Sequence, residues 1–193
     1  MGGQATIASM AGKRLSLPFN RKGHFLFLSA QVRDRVNTYS PTAPGKDASG
    51  GNAPRFYASL IGHIQKPWSD TYIYENPSDK KSKIIGRMVN IKLIKTYNET
   101  SGQTVEYPVK YGLKGGIWKA YEAMMAAQAW QLYKPKGIWW NINPEFEAEL
   151  KDANIKFEAT FQGEKNMRDY FDTNIDLTNY IIERMRKLII PVV

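Results

Sequence analysis

The sequence predicts an α+β fold: a small curved antiparallel sheet, or an OB-like barrel, with one helix inserted after its central hairpin and a second at the C-terminal end. Three stretches carry that expectation. Residues 83–112 hold two runs of period-2 alternation around a polar, Gly-containing turn. Residues 117–133 are rich in strong helix formers, and residues 177–189 repeat apolar positions at helical spacing.

From the N-terminus, Met1–Gly12 is rich in Gly, Ala and Ser and has little to bury. Residues 1–20 therefore read as an arm, and residues 21–193 as a single α+β domain. His24-Phe25-Leu26-Phe27-Leu28 reads as a buried strand. Residues 39–54 gather Pro, Gly, Ser, Asp and Asn and read as a long loop. Phe56–Gln65 leans to strand, since Phe56-Tyr57 opens it and Gly62 interrupts it, and Thr71–Tyr74 is a further short strand.

In the hairpin, Val89, Ile91 and Leu93 begin the alternation, and Val105, Tyr107, Val109 and Tyr111 resume it after the turn. Pro108 has no N–H to offer a ladder and marks an edge. Ile117, Tyr121, Met125, Gln128 and Leu132 are the expected apolar face of the inserted helix, which Lys134-Pro135-Lys136-Gly137 ends. A strand at Ile138-Trp139-Trp140, a polar helix at Glu145–Lys151 and a strand at Ile155–Phe161 follow. Adjacent Trp139 and Trp140 face opposite ways on a strand, so one ring points away from the core. Asp176 is the expected cap of the last helix, with Leu177, Ile181, Met185 and Leu188 on one stripe.

Composition narrows the function classes. Hydrophobic residues make up 42%, enough for a core without staples. The absence of cysteine excludes a disulfide scaffold and thiolate metal sites. No apolar run approaches the roughly 20 residues of a membrane span. The first residues lack the continuous apolar stretch of a signal peptide, so a cytoplasmic location is expected, in the host cytoplasm if the source is viral. His24 and His63 have no second ligand at metal spacing, and there is no nucleophile elbow, Walker motif or dinucleotide fingerprint. Lys114-Gly115-Gly116 reads as a plain turn rather than a phosphate loop. No catalytic residue, metal or cofactor is expected, and the protein reads as non-enzymatic.

Charge points to a polyanionic partner. The net charge is +9, with 18 Lys/Arg against 7 Asp/Glu in residues 1–119 and 9 against 11 in residues 120–193. Such a one-sided field captures polyanions. Lys80, Lys81, Lys83, Arg87, Lys92 and Lys95 follow one another with no acid between Asp79 and Glu99. Trp68, Tyr72 and Tyr74 precede them, and Tyr97 follows. Single-stranded nucleic acid is held by this mixture, because phosphates need cations and unstacked bases need flat rings.

The expectation is therefore a protein that binds single-stranded DNA, or RNA, through a basic, aromatic-bearing sheet surface, with a virus as a fitting source. The alternative is a structural subunit of a virion or ribonucleoprotein, a homo-oligomer or larger assembly clasped by the N-terminal arm. A third reading is a metal-dependent nuclease built on Glu149 and Lys151.

Overall fold

A computed structural model describes residues 3–34, 46–48, 53–65, 71–97, 101–113 and 115–189. They fall into two compact units, Met1–His63 with Leu93–Gln103, and Ile64–Lys92 with Thr104–Val193.

The first unit opens with helix α1 (Gly3–Lys22), where the sequence suggested an arm. Gly23, at φ 64°, closes it, with the His24 amide donating to Phe19 O at 2.9 Å. This left-handed residue lets the chain turn back and satisfy a terminal carbonyl. Residues 24–31 form neither helix nor strand, and they are exposed. The expected buried strand at His24–Leu28 is therefore not formed. β1 (Val32–Asp34) pairs antiparallel with β2 (Lys46–Ala48). The rest of the predicted 39–54 loop lies outside the described residues, apart from the start of α2 (Ala53–Tyr57). The Tyr57 ring lies so close to Gly12 that a Cβ there would overlap it, at 2.3 Å. Phe56 and Tyr57 are thus helical, and the strand expected over Phe56–Gln65 is confined to β3 (Ile61–Ile64).

The second unit contains most of a strongly curled antiparallel sheet, a half-barrel. β4 (Tyr72–Tyr74) and β5 (Ile84–Lys95) are joined by a tight turn, and β6 (Thr104–Lys110) returns along β5 to the two-residue β7 (Gly116–Ile117). The order is β3-β5-β6-β7, with β4 also on β5. The expected hairpin is present, in continuous register from Gly86↔Lys110 to Lys92↔Thr104. In an antiparallel strand the N and O of one residue point to the same edge. Pro108 O accepts from the Trp118 amide at 2.8 Å, so its missing N–H also lies on that outer side and the β5–β6 ladder is intact.

Gly86 is the close approach of this sheet. A Cβ there would sit 2.5 Å from Val109 O and 3.2 Å from the Trp118 ring. Gly86→Ala is expected to cost about 1–3 kcal/mol by overpacking, read as a lower urea midpoint with unchanged slope.

Helix α3 (Lys119–Ala129) leads into the β8 (Tyr133–Lys136) and β9 (Trp139–Ile142) hairpin. Helix α4 (Pro144–Asp152), strand β10 (Thr160–Gln162) and helices α5 (Gly163–Thr173) and α6 (Ile175–Ile189) complete the unit. A second antiparallel sheet, β10-β9-β8, shares a core with these helices. Tyr133 is fully buried in it, its hydroxyl donating to Glu158 O at 2.8 Å and its ring 5.4 Å from Phe161 and 6.2 Å from Phe171. Trp140 packs against this core while Trp139 stays exposed, as strand alternation requires.

Two faces differ from the expected stripes. In α3 the buried residues are Ala123, Met124 and Ala127, whereas Met125 is exposed, and Ile117, expected on the helix face, lies exposed on β7 instead. The alanines form the contact because small side chains let α5 and α6 approach closely. In α6 the stripe holds through Leu177, Ile181 and Met185, but Leu188 is exposed. The cap is Asn174 rather than Asp176, accepting from the Leu177 amide at 3.0 Å. Asn174→Ala is expected to destabilise the protein by about 1 kcal/mol, measured by thermal or urea unfolding. Helix α5 was not anticipated, and the strand expected over Ile155–Phe161 is confined to β10, with residues 155–159 assigned to no strand. Among the described residues no helix is long and apolar enough to cross a membrane.

Candidate nucleic-acid interface

The turn from β4 to β5 is built by short polar side chains. The Ser78 amide donates to Asn76 Oδ1 at 3.2 Å and the Lys81 amide to Asp79 Oδ1 at 2.9 Å. Ser82 Oγ donates to Asp79 O at 2.6 Å and accepts from the Asn76 amide at 3.0 Å. Asn, Asp and Ser satisfy their own backbone in this way, which is why the sequence turns here. The Glu75 amide closes the base of the turn on Lys83 O at 2.8 Å.

A residue nearly a hundred positions away fixes the root of this turn. Arg168, on α5, has a side chain only 2% exposed. It donates from Nη1 to Tyr74 O at 2.8 Å and from Nη2 to Glu75 O at 2.6 Å. Its guanidinium carbon lies 5.9 Å from the centroid of the buried Trp118 ring. Burial of a charged fork is tolerated because two carbonyls take its donors, although Nε has no hydrogen-bond partner and lies 3.5 Å from Asp169 Oδ1. On the same helix, Asp172 accepts from Trp118 Nε1 and from Lys110 Nζ, the latter at 2.7 Å. The curled sheet and α5 are thus held in one arrangement by Arg168, Asp172, Lys110 and Trp118, which no local pattern connects.

The turn so fixed carries Lys80, Lys81 and Lys83, all exposed. Tyr72 pairs directly with Arg87 across β4 and β5, so both side chains share one face of the sheet. Tyr72, Tyr74, Lys80, Met88, Tyr121 and Arg168 line one cleft of about 260 Å³. Among the described residues Lys80, Lys81, Lys83, Arg87 and Lys92 enter no ion pair, whereas Lys110, Lys151, Lys165, Arg184 and Arg186 are each paired with a carboxylate. Free cations on an ordered turn are what a polyanion can use without first breaking a contact.

The remaining residues of the predicted set lie elsewhere. The ladder through Gly86–Lys92 has no shift, so Lys92 points to the face opposite Arg87. Lys95 belongs to the first unit, and its ammonium donates to Arg55 O at 3.0 Å and Phe56 O at 3.1 Å, closing the end of α2. Tyr97, also in the first unit, is 89% exposed. Trp68 lies outside the described residues.

The carboxylates expected of a nuclease are engaged in structure. Glu149 receives Arg184 Nε at 2.9 Å and the Tyr180 hydroxyl at 3.0 Å, and Glu147 pairs with Lys151 at 2.7 Å. Among the described residues no group of three or more His, Asp or Glu side chains is placed to hold a metal ion.

Tyr121, on the cleft wall, is pushed up to about 12, first by burial and then by the negative charge of Glu164, which accepts its hydroxyl at 3.2 Å. The folded state therefore favours the neutral phenol. The stability this gives is complete below pH 10, the ordinary tyrosine value, and is lost as pH rises toward 12. Urea midpoints measured across that window are expected to fall, and less steeply in Tyr121→Phe. An equal fall in the variant would show that Tyr121 is not responsible.

No family model matches the chain. It is similar to curated proteins named Protein RecA. That of Caulobacter sp. (strain K31) is 24% identical over 186 residues, covering 96% of this chain and 45% of the relative. That of Phytoplasma mali (strain AT) is 27% identical over 157 residues, covering 81% and 40%. That of Clostridioides difficile (strain 630) is 24% identical over 186 residues, covering 96% and 46%. The chain spans less than half the length of these relatives. The expectation of a non-enzymatic protein is corrected by these matches, because RecA is an ATPase and recombinase.

Proposed function

We propose that this chain is a DNA-holding part of a RecA-like protein, and that it grips single-stranded DNA through the β4–β5 turn and the sheet face beside it. One observation supports this reading above the others: exposed Lys80, Lys81 and Lys83, free of ion pairs among the described residues, sit on a turn fixed from inside by Arg168. In this reading the lysines and Arg87 meet phosphates, and Tyr72 and Tyr74 offer ring faces at the border of the cleft to unstacked bases. The similarity to RecA supports DNA rather than another polyanion. The RecA-like chemistry belongs to the larger whole to which this chain contributes the contact.

A tryptophan and tyrosine fluorescence titration with short single- and double-stranded DNA at two salt concentrations tests it. Tighter binding of single strands is expected, with quenching and with log Kd rising linearly with log salt at about 0.7 per phosphate contact. Salt-insensitive binding, or none, would overturn the assignment.

A further inference from the structure

We infer that the cleft beside the β4–β5 turn takes one unstacked base of the carbonyl-rich pyrimidine type, thymine or uracil, from the strand held by the turn. The inference rests on the proposed grip on single strands and adds what that grip reads. It begins with where the cleft lies. Lys80 belongs both to the turn and to the cleft wall, and Tyr72, also on the wall, pairs across the sheet with Arg87. Phosphate contacts at the turn and at Arg87 therefore adjoin the cleft, and a base carried with them meets the rings of Tyr72 and Tyr74.

Size sets how much enters. The cleft, at about 260 Å³, lies below the roughly 300 Å³ at which pockets for drug-sized ligands begin. It has room for one ring system rather than for two stacked nucleotides. Walls from Pro77, Met88 and the tyrosine rings suit the faces of a base and the methyl group of thymine.

The polar groups select the edge. Arg168, which also lines the cleft, has a side chain only 2% exposed. The Tyr74 and Glu75 carbonyls accept from Nη1 and Nη2, and Nε has no hydrogen-bond partner. A guanidinium has five N–H donors and no acceptor, so donors remain on a cation taken out of water, where an acceptor-bearing ligand is worth most. Lys80 adds a second donor-only cation, which enters no ion pair among the described residues. Tyr121 gives its proton to Glu164 Oε1 at 3.2 Å and so keeps an oxygen that accepts. The cleft thus offers two cations and one acceptor. Thymine and uracil carry two carbonyls flanking one N–H, which is the matching set. Cytosine and adenine turn an amino group toward the cations, and guanine sets two donors against one acceptor on that edge.

The test compares short dC strands carrying one central dT, dA, dG or N3-methylthymine residue, by fluorescence titration of the full chain at two salt concentrations. The dT strand is expected to bind about 10-fold tighter than the unsubstituted dC strand, with the same salt slope. N3-methylthymine is expected to return the affinity to the dC level, because a methyl group replaces the N–H. Tyr121→Phe is expected to lose the dT preference, with amide protection of α3, α5 and α6 reporting that the variant is folded. Salt-dependent binding without a preference for dT, an equal gain from dG or dA, or a preference undiminished by N3-methylthymine or in Tyr121→Phe would each overturn the inference and leave the grip of the turn standing. Binding of no strand at all would overturn both.

Discussion

Phe171→Ala is expected to remove about 3–5 kcal/mol of folding stability, the largest loss from any single truncation considered. Phe171 is fully buried, its ring 6.2 Å from Tyr133 and 6.5 Å from Phe161, and its carbonyl accepts from the Thr178 hydroxyl at 2.9 Å. Removing the ring leaves a cavity where α5, α6 and the second sheet meet, and interdigitated helices collapse into such a space only partly. Total stability of a domain this size is commonly about 5–15 kcal/mol, so roughly a fifth or more is at stake. Urea unfolding followed by far-UV circular dichroism measures it. Leu113→Ala is the control, since Leu113 is fully exposed and its loss is expected to change little.

Reversing the turn, as Lys80→Glu/Lys81→Glu/Lys83→Glu, is expected to weaken single-stranded DNA binding by about 100-fold or more at low salt. It is also expected to lower the salt slope by about 2, three contacts at roughly 0.7 each. The fold is expected to survive, because these side chains enter no ion pair among the described residues and the turn is held by Asn76, Asp79, Ser82 and Arg168. An unchanged melting temperature with unchanged affinity would show that the turn is only a solvated surface. The prediction thus separates two roles that lysine-rich turns can have.

What the sequence revealed followed the range of the forces involved. The β5–β6 hairpin was legible because alternation and a Gly-containing turn are local signals. The existence of α3 was legible from its helix formers, but not its bounds or its buried face: the helix is Lys119–Ala129 rather than 117–133, because Ile117 joins β7 and Tyr133–Lys136 form β8. Ala123 and Ala127 carry no hydrophobic signal that outweighs Met125, and only the nearness of α5 and α6 decides. Helix α5 escaped notice because its inward stripe, Met167, Arg168 and Phe171, includes an arginine.

The same distinction governs the candidate interface. The run of lysines was readable as a run. That Lys95 closes α2 instead was not, because its partners Arg55 and Phe56 lie 40 and 39 residues away. Arg168 gave no signal at all, since its bond to Tyr74 O spans 94 residues. His24–Leu28 is the opposite case: the local pattern describes a strand, and the structure leaves these residues exposed and outside any ladder.

The most direct test of the account is lysine footprinting by amine acylation, with and without saturating single-stranded oligonucleotide. Protection is expected at Lys80, Lys81 and Lys83 and none at Lys151 or Lys187, on α4 and α6. Equal reactivity of the three turn lysines in free and bound protein would contradict it.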